Sequence, residues 1–173
     1  GIKFNEDDRT VQKILDRVKE REFNGYSYDG ADASFELLVK KVLVEIPEFF
    51  SVQNFSVKVE NSGSEGETMS SAEVKLKIGS EEIIGIGSGV GPVNALDKAL
   101  RNNFESSGYS DVIKDLSLID YKVRILNTGT EAVTRVSIES TDSKGKNWFT
   151  IGVSANIIEA SFKALVDSLD YKL

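Results

Sequence analysis

The residues with the clearest potential for chemistry lie in the stretch 85–100, which reads GIGSGVGPVNALDKAL. It sets four glycines at alternate positions before a proline and a predicted helix, an order that could cradle a phosphate. The dinucleotide fingerprint G-x-G-x-x-G, however, needs its third glycine where this chain has Val90, counted from Gly85, or Pro92, counted from Gly87. No Gly-Lys-Ser/Thr sequence follows these glycines. The spacing therefore does not favour a phosphate loop.

Two interpretations of the glycine stretch remain open on spacing alone. The glycines could make a tight strand-to-helix turn against the other half of the fold. Alternatively, they could let a ligand approach the free N–H groups of a helix that begins at Pro92, and such a helix start suits a carboxylate as well as a phosphate. A second stretch, GVSANIIEAS, places Asn156 near another helix start. Two such starts could together face one small zwitterion.

Composition limits the other kinds of chemistry. The 173 residues include no histidine and no cysteine, which removes the commonest general base and the ligands that transition metals prefer. The formal charge is −7, and no segment gathers Lys or Arg into a basic stripe, so nucleic acid is not an expected partner. The chain has no leading apolar run, so we expect neither a signal peptide nor a membrane span, and a cytoplasmic location.

The elements that must position any site begin with two helices. Apolar residues recur at i, i+3, i+4 and i+7 in Asp7–Glu22 and again in Gly30–Val44, where Asp29 is the predicted N-cap. Two helices with one apolar stripe each do not make a stable domain, so we expect them to pack against the rest of the chain. Their turn-rich connection carries two tyrosines that we expect to be exposed, Tyr26 and Tyr28.

After Pro47 the apolar period changes to two, and a β-β-β-α order occurs twice. Laying Ile83–Leu100 over Trp148–Leu165 superimposes Gly87 on Gly152. Upstream, NFSVKV aligns with DYKVRI, and AEVKLKI aligns with TRVSIES. A single unit would leave apolar faces bare, whereas two units can bury them around a pseudo-two-fold axis.

We therefore predict an α+β fold in which an N-terminal helical linker subdomain is followed by two pseudo-symmetric βββα units. The linker subdomain would span residues 1–50. A second domain, residues 51–173, would contain the two units at about 52–105 and 116–173.

At this point the residues resemble a known family. GSGVGPVNALDKAL, IDYKVRI and IGVSANIIEASFKALVDSLDYKL resemble the C-terminal regulatory domain shared by 2-isopropylmalate synthases and citramalate synthases. REFNGYSYDGADASFELLVKK is similar to the linker subdomain of the citramalate synthase branch. The resemblance implies a homodimer that binds the end-product amino acid of its pathway as a feedback inhibitor, isoleucine for citramalate synthases and leucine for 2-isopropylmalate synthases.

The same resemblance implies what the parent protein does elsewhere in its chain. Such enzymes are acyltransferases that condense acetyl-CoA with a 2-oxo acid, pyruvate in citramalate synthases, on a TIM barrel with a divalent metal held by an Asp and an H-x-H pair. None of that barrel is in this sequence, which agrees with the missing histidines. We expect no metal or cofactor on this chain, and no synthase activity from it alone.

Carried over to these positions, the resemblance implies an effector pocket at the two strand-to-helix turns and the strand that opens the second unit. Main-chain N–H groups at a helix start would bind the carboxylate, and apolar walls would hold a branched side chain. For the apolar members, core packing remains the alternative. The implied effector residues are Gly89, Gly91, Val93, Asn94, Leu118, Tyr121, Ile125, Ala155, Asn156 and Ile157.

Two other functions remain open. In the first, Tyr26 or Tyr28 contributes to the active site of the partner subunit in the parent enzyme, as the resemblance implies for linker residues. In the second, the chain is a dimerisation module that binds no ligand. A structural role for both tyrosines is the alternative to the first.

Overall fold

The computed structural model describes residues 8–43, 46–63, 66–126 and 132–173. Two helices come first. Three strands followed by a helix then occur twice, as expected for two units, with the short helix α4 between them. The elements in chain order are α1 (Asp8–Phe23), α2 (Asp32–Leu43), β1 (Ser51–Asn61), β2 (Thr68–Ile78), β3 (Glu81–Gly89), α3 (Pro92–Asn102), α4 (Ser110–Ile113), β4 (Ser117–Ile125), β5 (Thr134–Thr141), β6 (Asn147–Ser154) and α5 (Ile157–Lys172).

The strands form two separate antiparallel sheets, in the orders β1-β2-β3 and β4-β5-β6. In each sheet the register of the first pair shifts near the start of the first strand, between Val52 and Asn54 in one and between Leu118 and Asp120 in the other. An irregularity at the same place in both units is typical of duplicated structure, because bulges are kept as design features. The predicted α+β fold of two βββα units is confirmed.

One detail of the sequence alignment is wrong. It set Ala72 opposite Thr134, whereas the structure pairs Ala72 with Gly87 and Val136 with Gly152, so that Ala72 and Val136 are the equivalent residues. The sequence alignment is therefore shifted by two residues along β5. Because side chains alternate between the two faces of a strand, a shift of two residues assigns every side chain to the correct face.

The alternate glycines let each helix lie directly on its own sheet. A Cβ on Gly87 would overlap the carbonyl oxygen of Ala95 in α3, and a Cβ on Gly152 would overlap that of Ala160 in α5. The close approach is therefore to the helix of the same unit, and not to the other unit as one interpretation had it. Gly91 differs, because a Cβ there would meet no atom of the described residues within 4 Å, apart from its two neighbours in the chain.

The two units share one core. Helices α3 and α5 contact each other, and buried residues of both sheets and both helices belong to a single cluster. The rings of Phe55 on β1 and Phe162 on α5 lie 4.2 Å apart between centroids, so the first strand of one unit packs on the helix of the other. Because the units pack in this crossed way, the start of each helix lies beside a strand of the opposite unit.

The linker packs against the rest of the chain, as predicted, and α2 covers the open edge of β6. The Ser34 hydroxyl of α2 accepts a hydrogen bond from the Ile151 amide at 3.0 Å and donates one to Asp167 at 2.8 Å. The Asp32 carboxylate accepts a second edge amide, that of Phe149, at 3.4 Å. Two N–H groups of the edge strand are thereby satisfied by side chains of α2.

Two predictions about the linker are wrong. Helix α2 begins at Asp32, and its first hydrogen bond runs from the Phe35 amide to Ala31, so Asp29 lies in the preceding turn and is not the N-cap. Tyr26 and Tyr28 are half-buried rather than exposed, with their rings 6.3 Å apart against the outer face of the second sheet. The predicted first residue of α1 and last residue of α2 lie outside the described residues. The domain division at residue 50 stays a prediction.

Candidate functional site

A cavity of about 470 Å³ borders the linker, but the cavity that contains the most predicted site residues lies between the start of α3 and the first strand of the other unit. Its volume is about 430 Å³, within the range of small-molecule sites. We call it the α3–β4 pocket. It is lined by Val93, Asn94, Asp97, Arg101, Leu116, Ser117, Leu118 and Tyr121.

The start of α3 lacks a side-chain cap. Gly91 occupies the N-cap position and has no side chain to accept a hydrogen bond, and Pro92 follows it at the first helical position. The first intrahelical bond joins the Ala95 amide to the Gly91 carbonyl at 3.0 Å. Because proline has no N–H, the unsatisfied donors of this helix end belong to Val93 and Asn94, and both residues line the pocket.

An ion pair forms the next turn of the pocket wall. Both oxygens of Asp97 accept from Nε of Arg101, at 2.9 and 3.0 Å, and Arg101 also donates to the carbonyl of Leu116 just before β4. Each side chain of the pair is 23% exposed. One fixed carboxylate and one fixed guanidinium therefore face the same cavity.

The floor of the pocket is apolar and held in place from α5. The Ser161 hydroxyl donates to the carbonyl of Ile157 at 2.6 Å, so the hydroxyl of Tyr121, 2.8 Å away, is the donor to Ser161. This bond fixes the Tyr121 ring beside Leu118 on the strand. The arrangement combines two backbone donors, one charge of each sign and an apolar surface.

The structure brings together four of the ten predicted effector residues and leaves the others outside this pocket. Val93, Asn94, Leu118 and Tyr121 line it, and Gly91 adjoins them as the N-cap. Gly89 packs against the Asn94 side chain, where a Cβ would overlap Oδ1. The remaining residues, at the far end of β4 and at the start of α5, do not line it: Ile125, Ala155, Asn156 and Ile157. Their roles in binding stay predictions.

Sequence reasoning missed the ion pair. It assigned no role to Arg101, whereas the side chain of this residue lines the cavity and is held there by Asp97 and the Leu116 carbonyl. The signal was present as an i, i+4 pair of opposite charge on one helix face. Lys98, the other basic residue of α3, instead donates to the Ser88 carbonyl of β3 at 2.9 Å.

The equivalent place in the other half of the fold, between α5 and β1, is partly filled and covered. A cavity of about 320 Å³ remains there, but Phe162 stands where α3 has Asp97, and its ring packs on Phe55, the counterpart of Tyr121. Arg21 and Tyr26 of the linker lie over the opening. We call this the α5–β1 cavity.

The start of α5 is also closed by its own side chain. Asn156, the counterpart of Gly91, accepts hydrogen bonds from the amides of Ile158 at 2.8 Å and Glu159 at 3.3 Å. The Ser154 hydroxyl, and then Lys163, hold the pKa of the Glu159 carboxyl below its usual range. The donors that α3 leaves free are thus already paired in α5.

The described part of the chain holds no group of three or more Asp, Glu, His or Cys side chains placed to hold a metal ion. Among the described residues, none of the helices is long and apolar enough to cross a membrane.

Comparisons with known proteins point to one family. The model of the LeuA allosteric (dimerisation) domain matches residues 29–173. The (R)-citramalate synthases of Geobacter sulfurreducens and Streptomyces coelicolor are each 43% identical to the whole of this chain. The 2-isopropylmalate synthase of Pectobacterium atrosepticum is 32% identical over 73% of it. The chain spans about a third of the length of the citramalate synthases, 33% and 32% respectively.

Proposed function

Because this chain belongs to the LeuA allosteric (dimerisation) domain family, we propose that it senses a branched-chain amino acid in the α3–β4 pocket and so regulates a citramalate synthase. The observation that carries this proposal is the uncapped helix start opening into a cavity with one charge of each sign. The family match includes α2 of the linker and both βββα units.

The carboxylate of the amino acid would bind at the start of α3. The N–H groups of Val93 and Asn94 have no intrahelical acceptor, and the helix dipole favours an anion there. Arg101 adds a guanidinium to the same cavity. Hydrogen bonds from either kind of donor to a carboxylate are charge-assisted and therefore stronger than neutral ones.

The ammonium group and the side chain have separate partners. Asp97 supplies a carboxylate that is already held in place by Arg101, so an ammonium could bind it without a new ordering cost. Leu118 and the ring of Tyr121 offer the apolar surface for a branched side chain. These contacts are the ones expected of a zwitterion with an aliphatic side chain.

Isoleucine is the effector we propose, because the relatives that match the whole chain at 43% identity carry the name (R)-citramalate synthase. The alternative is leucine, as expected of a 2-isopropylmalate synthase. A third possibility is a dimerisation module without ligand. The pocket itself, lined by side chains that both amino acids could contact, supports either effector.

A homodimer would form through the helix-facing side of β1 and β4. Val59 on β1 and its counterpart Ile125 on β4 are 54% and 67% exposed although they lie on the faces that the core occupies elsewhere. Val123, next to Ile125 on that face, is 42% exposed. A second copy would cover this apolar surface symmetrically. The same copy would also cover Ile157 if the predicted site extends across the interface.

The parent protein would be an acyltransferase that condenses acetyl-CoA with pyruvate in the cytoplasm. In this proposal the divalent metal and acetyl-CoA bind in the part of the relatives that this chain does not span. Tyr26 or Tyr28 would reach the active site of the partner subunit only if the linker can release them from the second sheet, where they are half-buried.

Calorimetric titration with isoleucine and leucine tests the proposal. We expect saturable binding of isoleucine, weakened at least about tenfold in Asp97→Asn because a charged hydrogen bond to the ammonium is lost. Glu105→Gln, an exposed acid just after α3, removes the same charge outside the pocket and is the control. Tighter binding of leucine would favour the alternative effector, and no binding of either amino acid would leave the ligand-free module.

A further inference from the structure

A groove of about 470 Å³ separates the linker turn from the outer face of the second sheet. Its polar lining comes from Ser27 and Asp29 of the turn and from Lys122, Arg124, Arg135 and Ser137 of the sheet. It shares no residue with the α3–β4 pocket. The groove is therefore a separate site from the proposed effector pocket.

The two arginines of the groove lie directly opposite each other on adjacent strands. Arg124 on β4 is the register partner of Arg135 on β5. Like charges at opposite positions of a sheet are destabilising. Burial and the nearby Arg124 charge lower the pKa of Arg135. This repulsion occurs in a chain whose net charge is −7, so it does not follow from an excess of basic residues.

Among the residues that the structure describes, no acid pairs with either guanidinium group of the groove. Lys122 pairs with Asp120 at 2.5 Å, so its charge is already compensated. Within the described ranges, neither Arg124 nor Arg135 forms an ion pair with a carboxylate. Asp29 is the acid that lines the groove itself. The uncompensated positive charge therefore belongs to the two arginines.

Arg135 is also fixed in position. Its Nε donates to the Gly25 carbonyl at 2.7 Å, which anchors the guanidinium to the linker and leaves the terminal N–H groups for another acceptor. An anchored guanidinium loses less conformational entropy when it binds a ligand. The linker therefore holds one half of the arginine pair in advance.

We propose that this groove binds a phosphorylated small molecule through Arg124 and Arg135. Two guanidinium groups and the hydroxyls of Ser27 and Ser137 match the acceptor oxygens of a phosphate, since arginine pairs with phosphate through two parallel hydrogen bonds. Asp29 adds an acceptor for a hydroxyl or amino group of the ligand. The groove thus suits a ligand with both a phosphate and such a donor.

Calorimetric titration of the 173-residue chain with inorganic phosphate and with ADP, at constant ionic strength, tests this site. We expect saturable binding of ADP, weakened about tenfold or more in Arg124→Gln, since one charge-assisted contact to phosphate is removed. Arg124 is exposed and makes no described ion pair, so this variant keeps the fold. The matched control is Arg9→Gln, which removes an exposed arginine at the start of α1, outside the groove.

Four outcomes decide the proposal. Loss of ADP affinity in Arg124→Gln but not in Arg9→Gln supports it, with unchanged isoleucine binding as the check that the variant is folded. Equal ADP affinity in the parent and Arg124→Gln would overturn it. Equal weakening in the two variants would mean attraction by overall charge and would overturn it. Absence of saturable binding of both probes at millimolar concentration would overturn it as well.

Discussion

The starts of α3 and α5 occupy equivalent positions in the two units, yet one is open and the other is closed. Gly91 leaves the first N–H groups of α3 free, whereas Asn156 binds those of α5. Beside the open start lie an ion pair and a cavity, and beside the closed start lie the stacked rings of Phe55 and Phe162. Duplication supplied two similar places, and different side chains left one open for the proposed ligand and filled the other with packed rings.

The largest effect is expected at Gly87 and Gly152, which lie against the backbone of α3 and α5, because both units need this close approach equally. Gly87→Val and Gly152→Val would each force a side chain into helix backbone, and we expect each to lower the free energy of unfolding by more than about 4 kcal/mol. Urea denaturation measures this. Gly91→Val, with open space around its Cβ, should lower the free energy of unfolding by no more than about 1 kcal/mol, through the poorer N-cap, while it weakens isoleucine binding. Unfolding of Gly91→Val would make this glycine structural, and unchanged isoleucine affinity would move the pocket elsewhere.

Phe162 and Asp97 occupy equivalent positions and should affect different measurements. Phe162→Ala removes a ring that is 4% exposed and stacked on Phe55, so we expect a loss of about 3–4 kcal/mol in the free energy of unfolding. Asp97→Ala should cost less than about 1 kcal/mol, because its ion pair is partly solvated. Isoleucine affinity should fall for Asp97→Ala. Similar losses of stability in both variants would contradict the division between a binding unit and a stabilising one.

The edge of β6 can be tested through Ser34. Ser34→Ala leaves the Ile151 amide and the Asp167 carboxyl without their hydroxyl partner, and we expect a loss of about 1–3 kcal/mol in the free energy of unfolding. Ser56→Ala, on an exposed position of β1, is the control. Equal unfolding midpoints for the two variants would mean that the linker does not stabilise the second unit.

Exchange of the caps gives a smaller effect with opposite signs. Asn156→Ala should lower the free energy of unfolding by about 1 kcal/mol, whereas Gly91→Asn should raise it by a few tenths as its side chain caps α3. The new cap would occupy the donors proposed for the effector carboxylate. Thermal melts with and without isoleucine measure both effects, and a Gly91→Asn variant that keeps full isoleucine affinity would show that those donors are not used.

The smallest expected effect is a pH dependence at the linker junction. Burial raises the pKa of Asp167, which faces Ser34, Lys41, Arg21 and Asp170. A raised pKa means that the folded state holds this proton more tightly, so the contribution of Asp167 is greatest at acid pH and is lost as pH rises above the unfolded value. As the pH rises above about 4, the unfolded-state value, the stability difference between Asp167→Asn and the parent should therefore shift in favour of the variant. A difference that is constant with pH would contradict this.

Local patterns were enough to predict much of the fold and part of the site. The alternation of Phe55, Val57 and Val59, and the repeated Gly87 and Gly152, predicted two βββα units because each pattern depends on neighbours in the chain. The ion pair of Arg101 could not be assigned to a site in this way, since its third partner lies in the segment that leads into the other unit.

Long-range contacts explain the remaining errors. Asp29 looked like an N-cap because a cap is judged from adjacent residues, but Asp32 begins the helix and binds an amide 117 residues away. Tyr26 and Tyr28 looked exposed because the sheet that buries them is formed by the second unit. Neither partner is recognisable until the fold is known.

The docking of α2 on β6 also constrains the order in which the chain can fold. Ser34 bonds to a strand 117 residues later and to a helix 133 residues later, so the surface that α2 needs is made well after α2 itself. During synthesis α2 emerges before that surface exists, and closing so long a loop costs entropy before any contact offsets it. The linker therefore joins a completed second unit late in folding, and its attachment reports that the whole regulatory region has been assembled.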